Sequence, residues 1–319
     1  RAFSIASPLD GLHGKATADF FVRGSTSAPS YAGKISFSGL SFDLSGSGVA
    51  QSAGAAVFND RDLKAVLKGK WSGEGFTLKL DAKGYKKPRP RVSFDASLRS
   101  FDLCRLAACG GKPPSAGAAA PKKEAASSSL DPVITRGTLR IGRVSHQNLS
   151  AAGVKLSMSF TKISTAPALS AGAVDFSAAE GSFSDLRVFA DASPTLQKLL
   201  LPITMLQKAA KLVNIAALPA YDRVKFSKMS GRYELAGGIL TIRDARLATE
   251  QADVRMSGSM DLVKGSLDLG IENKLKGKVG ETVSAPISFT VTESTSSPKV
   301  RLKLSSIFEQ PVVKKAIDD

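Results

Sequence analysis

The side chains that could perform redox or metal chemistry are few in this sequence and widely spaced. The two cysteines, Cys104 and Cys109, lie in the segment DLCRLAACGG, and the two histidines, His13 and His146, are far apart along the chain. A structural zinc site takes four ligands, so this spacing predicts no metal site. In an oxidising compartment the two cysteines could close a small disulfide loop, and the alternative is a pair of free thiols at a strand end.

Motifs for nucleophilic, phosphate-binding or cofactor chemistry are missing from the sequence. It has no G-x-S-x-G elbow, no G-x-x-x-x-G-K-[ST] loop, no H-E-x-x-H pair and no G-x-G-x-x-G fingerprint. Acidic residues such as Asp253, Asp261 and Asp268 alternate with apolar residues, which is typical of the solvated face of a strand. The sequence therefore predicts a protein without catalysis and without a cofactor.

The strong positive charge of the chain indicates which classes of binding partner to consider. The formal net charge is +16, and aromatic residues make up 7% of the chain. Such a charge favours anionic partners, among them phospholipid headgroups, lipopolysaccharide and nucleic acid. Nucleic-acid binding needs basic patches with stacking aromatic residues or a reading helix, and neither pattern occurs. Because the charges are spread singly along many strands, the alternative interpretation is a solvated outer face.

The β-strand pattern of this sequence is clearest in residues 252–272, ADVRMSGSMDLVKGSLDLGIE. Apolar residues alternate with polar ones, the turn Lys264-Gly265 interrupts them, and the alternation then resumes. A period of two places all the apolar side chains on one face of a β-hairpin. Those residues are Val254, Met256, Met260, Leu262, Leu267, Leu269 and Ile271.

The same one-faced pattern recurs along most of the chain. Residues 1–108 form a first region of repeated strands, and residues 132–319 form a second. Between them, residues 109–131 are rich in Pro, Ala and Ser without periodicity, which predicts a flexible linker. A helical insert is predicted at about 194–216, where Ser193 can cap the helix and Pro202 divides it.

About fifteen predicted strands share one short helical segment, so the apolar faces lack an obvious cover. Exposed apolar surface costs roughly 25 cal/mol per Å². The sheet can therefore fold into a sandwich, close into a barrel, or curl into a groove around something apolar that is not protein. From the residues alone the sandwich is slightly favoured. The small residue Gly258, between Met256 and Met260, suits a strongly curved sheet or marks a bulge.

Several segments resemble the AsmA family of bacterial envelope proteins. These are SFDASLRSFDLCRL (93–106), LDPVITRGTLRIGRVSHQNLSAAGVKLSMSF (130–160), and ASPTLQKLLLPITMLQK followed by VKFSKMSGRYELAGGILTIRDARLATEQADVRMSGSMDLVKGSLDLGI. The resemblance covers about residues 93–305, and residues 1–92 match only as one-faced strands. One departure is the turn Gly237-Gly238, where Asp-Gly is more usual in the family. The resemblance implies a mainly β fold: a long, curled antiparallel sheet with an apolar groove and a short helical segment.

The resemblance also implies a function. Family members are thought to carry phospholipid between the inner and outer membranes, so we expect a periplasmic protein anchored in the inner membrane by an N-terminal helix absent from this chain. Expected partners are acyl chains, the inner or outer membrane and other envelope proteins. The alternatives are an assembly factor for outer-membrane biogenesis that holds no lipid, and an unrelated β-sandwich or solenoid adhesin. The residues expected to line the groove are Phe226, Tyr233, Leu235, Leu240, Ile242, Val254, Met256, Met260, Leu262, Leu267, Leu269, Ile287, Phe289, Leu302 and Leu304.

Overall fold

The computed structural model describes residues 13–41, 43–44, 47–71, 73–87, 90–103, 134–146, 148–163, 167–184, 223–276, 286–294 and 298–303. Within these residues the protein is mainly β and mostly antiparallel, with almost no helix, which confirms the predicted fold class. Cys104, Cys109, the linker at 109–131 and the helical insert at 194–216 lie outside the described residues. No helix in the described part of the chain has the length and apolar character needed to cross a membrane.

The chain divides into two compact units. Unit 1 comprises Arg1–Arg143 and Ser157–Ile163, and unit 2 comprises Val144–Leu156 and Ser164–Asp319. Strands β8 (Ile134–His146) and β9 (Leu149–Lys162) therefore contribute residues to both units. The strands that lie wholly in unit 1 are β1 (His13–Ser25), β2 (Ala28–Ser41), β3 (Asp43–Leu44), β4 (Ser47–Phe58), β5 (Asp62–Trp71), β6 (Glu74–Lys83) and β7 (Arg91–Asp102).

Unit 1 is an antiparallel ladder of neighbouring strands. β1 pairs with β2, β2 with β4, and β4, β5, β6 and β7 follow in chain order, while the short β3 pairs with β4. The strand β4 shows no clear alternation in the sequence, because many of its residues are Ala, Ser and Gly. Those small residues have a structural reason at Gly54, since a Cβ there would collide with the carbonyl oxygen of Val66.

One strand pair in unit 1 departs from the antiparallel pattern. The backbone N–H of Ile134 donates to the carbonyl of Pro90 at 3.2 Å, and further along the strands Arg140 forms an ion pair with Asp95 at 2.8 Å. Residue numbers rise together on β7 and β8, so these two strands are parallel. A parallel pair cannot be joined by a tight turn and needs a connection of a dozen or more residues, which residues 103–133 supply.

Unit 2 is an antiparallel meander built on the long strand β12. One half of β12 pairs with β10 and its other half with β11, and β12 to β17 then follow in chain order. The strands are β10 (Ala171–Ala178), β11 (Glu180–Ser184), β12 (Arg223–Ala236), β13 (Ile239–Thr249), β14 (Ala252–Asp261), β15 (Ser266–Leu275), β16 (Ile287–Ser294) and β17 (Pro298–Leu302).

Two tight turns in unit 2 fall where the sequence predicts them. Gly237 and Gly238 have φ of 58° and 81° and connect β12 to β13, as a two-residue hairpin loop requires. The turn after β14 contains Gly265 at φ 69°. There the Asp261 carboxylate accepts hydrogen bonds from the backbone N–H groups of Val263 and Lys264 at 2.9 and 2.8 Å, and these bonds lower the pKa of Asp261.

Candidate functional site

Six strands of unit 1 present one continuous apolar face, which we call the unit 1 apolar face. Directly paired residues of an antiparallel ladder lie on the same side of the sheet, so the registers define its rows. One row crosses all six strands as Ala18, Ile35, Ala56, Ala65, Leu80 and Phe94, and the next as Ala16, Phe37, Gly54, Leu67, Leu78 and Ala96.

The large side chains of the unit 1 apolar face are only half-buried. The small residues between them are covered: Ala56 is 5% and Ala82 is 7% exposed. The bulky side chains extend beyond the small ones, and the outer surfaces of the bulky side chains remain accessible. The half-buried large residues are Ile35, Phe37, Phe58, Leu63, Leu67, Trp71, Phe76, Leu78, Leu80, Val92, Phe94 and Leu98.

The opposite face of the same strands is mainly cationic, with Val57 and Val66 exposed among its charges. Four carboxylates lie among its cations, and one of them, Asp95, is held by Arg140 at 2.8 Å. Unit 1 is therefore amphipathic across the thickness of a single sheet, with an apolar side and a positively charged side. The cations of β5, β6 and β7 on this face are Lys64, Lys68, Lys70, Lys79, Lys83, Arg91 and Arg99.

The residues expected to line the groove lie in unit 2, and the structure brings most of them to one face. Met260 pairs with Leu240 on one side and Leu267 on the other, and Phe289 pairs with Leu302. The side chain of Leu302 and the whole of Leu304 lie outside the described part. Phe226, Ile242, Val254, Met256, Met260, Leu267, Leu269, Ile287 and Phe289 are buried, and Tyr233, Leu235, Leu240 and Leu262 are half-buried.

Unit 2 thus packs the centre of its apolar face as a closed core. Leu269 and Val291, paired on β15 and β16, are 1% and 0% exposed. Even a polar member of this face, Asn273, is buried between Val254 and Ile287. The two units therefore differ in how they bury the same alternating pattern, because unit 2 covers most of its large apolar side chains and unit 1 leaves its own partly accessible.

A β-bulge shapes the centre of the unit 2 face. The register of β13 against β14 shifts between Ile242 and Ala245, so Arg243 and Asp244 together face Ser257. Both bulge residues are exposed, while Ile242 and Ala245 on either side are buried. The bulge keeps both flanking apolar residues on the core side, as an extra residue in one strand does.

Tyr233 is the titratable side chain of the predicted groove residues. Its ring folds over Gly231, where a Cβ would lie 2.5 Å from the phenol oxygen. Burial raises the pKa of Tyr233 above its usual value, so the phenol is neutral at ordinary pH. It offers the site a polar edge but no charge.

The structure offers little for catalysis or metal binding in its described part. No group of three or more His, Cys, Asp or Glu residues converges there as a metal site would require. A depression of about 250 Å³ in unit 2 is lined by residues that include His146, Ser150, Phe183 and Lys225. Its volume is below the range of roughly 300–1,000 Å³ that is usual for small-molecule sites.

The residues of the unit 1 apolar face are not among the site residues that the sequence predicts. Their signal was present in the alternation of Leu63, Leu67 and Trp71 on β5 and of Leu78 and Leu80 on β6. Alternation by itself does not distinguish a covered face from an accessible one, so both units looked alike. Comparisons with protein-family models, with curated proteins and with solved structures found no match for this chain.

Proposed function

We propose that the protein is a non-catalytic carrier of phospholipid, and that the unit 1 apolar face receives the acyl chains. The observation that supports this most is the partial exposure of large apolar side chains over neighbouring strands of unit 1. In the full proposal, lipid moves along this face between the inner and outer membranes of a bacterial envelope, as the resemblance to the AsmA family implies.

The dimensions of the face fit an extended hydrocarbon chain better than a small ligand. Six strands at about 4.8 Å spacing and ten residues at about 3.3 Å each span roughly 24 by 33 Å. Water in contact with the unit 1 apolar face costs free energy in proportion to the exposed apolar area, and a bound acyl chain removes that cost.

The chemistry of the face also fits an aliphatic ligand. Gly54 lies between Phe37 and Leu67 in its row, and Ala56 and Ala65 lie between Ile35 and Leu80. An apolar face of this kind accommodates a flexible chain without requiring a hydrogen bond from it. The cations on the reverse side of the sheet supply attraction to phosphate-bearing headgroups at its margins.

Unit 2 supports a different role within the same protein. Most of its predicted groove residues are already buried by the protein, so acyl chains have less accessible area to gain there than on unit 1. We assign it the role of a folded support, and the lipid-contacting residues move from the unit 2 set to the unit 1 apolar face.

A pair of neighbouring substitutions on β6 tests the proposal. Leu78 lies on the apolar face, and Thr77 is half-buried on the other side of the same strand. Leu78→Asp places a charge where an acyl chain would lie, so lipid that co-purifies with the protein should fall at least tenfold. Thr77→Asp should retain it. Lipid extraction with mass spectrometry and circular dichroism of both variants are the measurements.

Two outcomes contradict the proposal. One is a wild-type protein that carries no phospholipid even after incubation with phosphatidylglycerol vesicles. The other is a folded Leu78→Asp variant that carries as much lipid as Thr77→Asp. The first result would favour an assembly or structural role without lipid cargo, and the second would show that lipid is held away from the unit 1 apolar face.

A further inference from the structure

The corner of unit 1 where β1 meets β2 exposes large apolar side chains on both sides of the sheet. Phe20, Phe21 and Val22 are 53%, 59% and 55% exposed, and Tyr31, which pairs with Val22, is 38% exposed. Phe20, Val22 and Tyr31 share the apolar side, whereas Phe21 points to the opposite side. We call these four residues the aromatic corner.

The aromatic corner continues into the unit 1 apolar face. Phe20 pairs with Gly33, which pairs in turn with Phe58, and Phe58 pairs with Leu63. A Cβ on Gly33 would collide with Phe20, so glycine at this position lets the two strands keep the ring in place. A hydrocarbon chain at Phe20 would therefore meet an apolar row without crossing a polar residue.

Cations line the end of unit 1 that includes the aromatic corner. Among the described residues, the strand ends and turns at this end contain six cations and two carboxylates. One carboxylate, Asp60, is paired with Lys86, and the other, Asp62, lies opposite Lys83 in the ladder. The cations are exposed and can approach an anionic surface. They are Arg23, Arg61, Lys83, Lys86, Lys87 and Arg91.

A network of polar contacts holds the turns at this corner together. Asp60 accepts hydrogen bonds from Lys86 at 2.8 Å, from the backbone N–H of Tyr31 at 2.9 Å and from the Ser30 hydroxyl. The Tyr85 hydroxyl donates to the carbonyl of Asn59 at 2.7 Å. Lys86 Nζ also lies 5.0 Å from the centre of the Tyr31 ring. The start of β2 and two hairpin turns are thus connected, so the corner is organised before it meets a partner.

We propose that the aromatic corner is a docking surface for anionic phospholipid bilayers. Exposed aromatic and aliphatic side chains insert at the boundary between headgroups and acyl chains, and neighbouring Lys and Arg side chains attract anionic lipid. Because Phe20 and Phe21 point to opposite sides of β1, apolar side chains on both sides of this strand can enter the boundary together. This inference deepens the proposed function, on which it rests, by naming the end of unit 1 at which lipid enters or leaves.

A membrane surface fits these features better than a protein partner does. A strand added to the edge of β1 would use its backbone groups and leave the ring faces of Phe20 and Phe21 exposed. A flat protein interface would cover one side of the sheet and leave the other. A bilayer boundary surrounds the edge and covers both sides at once, and its negative charge complements the cations.

Vesicle co-sedimentation tests the docking surface directly. Wild-type protein should bind vesicles of phosphatidylcholine with 30% phosphatidylglycerol, bind pure phosphatidylcholine at least tenfold more weakly, and lose binding as salt screens the charges. The double variant Phe20→Ser, Phe21→Ser should bind the anionic vesicles at least tenfold more weakly. The matched control is Val263→Ser, since Val263 is 64% exposed in a turn of unit 2, and it should bind as wild type.

The outcomes separate the docking surface from lipid carriage. Leu78→Asp should lose co-purified lipid and keep vesicle binding. If the Phe20, Phe21 variant still binds vesicles as wild type does, the docking surface is overturned and the proposal of lipid carriage is unaffected. Equal loss in Val263→Ser also overturns it. Self-association of the wild type that depends on Phe21, without vesicle binding, would assign the corner to a protein partner. Circular dichroism shows whether each variant is folded. If the double variant is not folded, the single variant Phe21→Ser is tested in its place.

Discussion

Ile271 and Phe289 lie directly opposite each other on β15 and β16, and they are 1% and 3% exposed. Leu80 and Phe94 have the same relationship on β6 and β7, yet both are half-buried. Two cross-strand pairs of large apolar residues thus have identical local geometry and different surroundings. The difference places a closed core in unit 2 and an accessible face in unit 1, and it leads to contrasting mutational effects.

A buried charge should unfold unit 2 far more readily than the same charge disturbs unit 1. Met256 is 6% exposed, so Met256→Asp removes a core side chain and buries an unpaired carboxylate, at a cost of several kcal/mol. Leu80→Asp keeps its carboxylate in contact with water and should cost less. Urea unfolding followed by circular dichroism measures both, and equal destabilisation would contradict the assignment of an open face to unit 1.

Glycine is required at position 258 of β14 but not at position 270 of the adjacent strand β15. Gly258 has φ of 133°, and a Cβ there would collide with the carbonyl oxygen of Asp268. Gly258→Ala should therefore destabilise the protein by about 2 kcal/mol or more. For Gly270 the nearest atom to an added Cβ is 4.0 Å away, so Gly270→Ala should stay within about 0.5 kcal/mol of wild type. Thermal unfolding of the two variants is the comparison, and similar melting temperatures would refute it.

The bulge in β13 predicts an asymmetry between two single-residue deletions. Without Arg243, Ile242 and Ala245 are separated by one residue and still share a face. Without Asp268, the buried residues Leu267 and Leu269 become adjacent, and half of β15 must turn its apolar side chains to water. Deletion of Arg243 should give a folded protein and deletion of Asp268 should unfold unit 2. Near-native amide dispersion in NMR spectra of the Asp268 deletion would argue against the register.

Acid should loosen the polar network beneath the aromatic corner. The hydrogen bonds from Lys86, Ser30 and Tyr31 hold the pKa of Asp60 well below its usual range, so the folded state favours the carboxylate. A lowered folded-state pKa stabilises the protein fully above the unfolded value of about 4, and this stabilisation is lost as the pH falls below it. Because the side chains of Asp60 and Lys86 are partly exposed, the effect should be modest and should weaken with salt.

The variant Asp60→Asn isolates this contribution. The melting temperature of the wild type should exceed that of Asp60→Asn at pH 7, and the difference should shrink between pH 4 and pH 2. The matched control is Asp95→Asn on β7, since the Arg140 ion pair of Asp95 lies away from the corner. A difference that stays constant down to pH 2 would show that the Asp60 carboxylate is not stabilised in the folded state.

The sequence by itself determined the local features of this protein. Alternation in residues 252–272 places Val254, Met256 and Met260 on one side, because successive side chains of a strand point to opposite faces. Paired glycines at 237 and 238 predict the hairpin turn, since the turn needs positive φ at both residues. These features depend on a few neighbouring residues, and the structure confirms them.

Only the tertiary structure decided which apolar face is covered. Whether Leu269 is buried while Leu80 is only half-buried depends on residues distant in the chain, and a period of two is identical in both cases. The parallel pairing of β7 with β8 and the bulge at Arg243 likewise arise from how separate strands align. The aromatic corner is assembled from Phe20, Tyr31 and turns remote in sequence. A strand's own sequence fixes which of its side chains share a face, whereas the burial of that face is a property of the packed units.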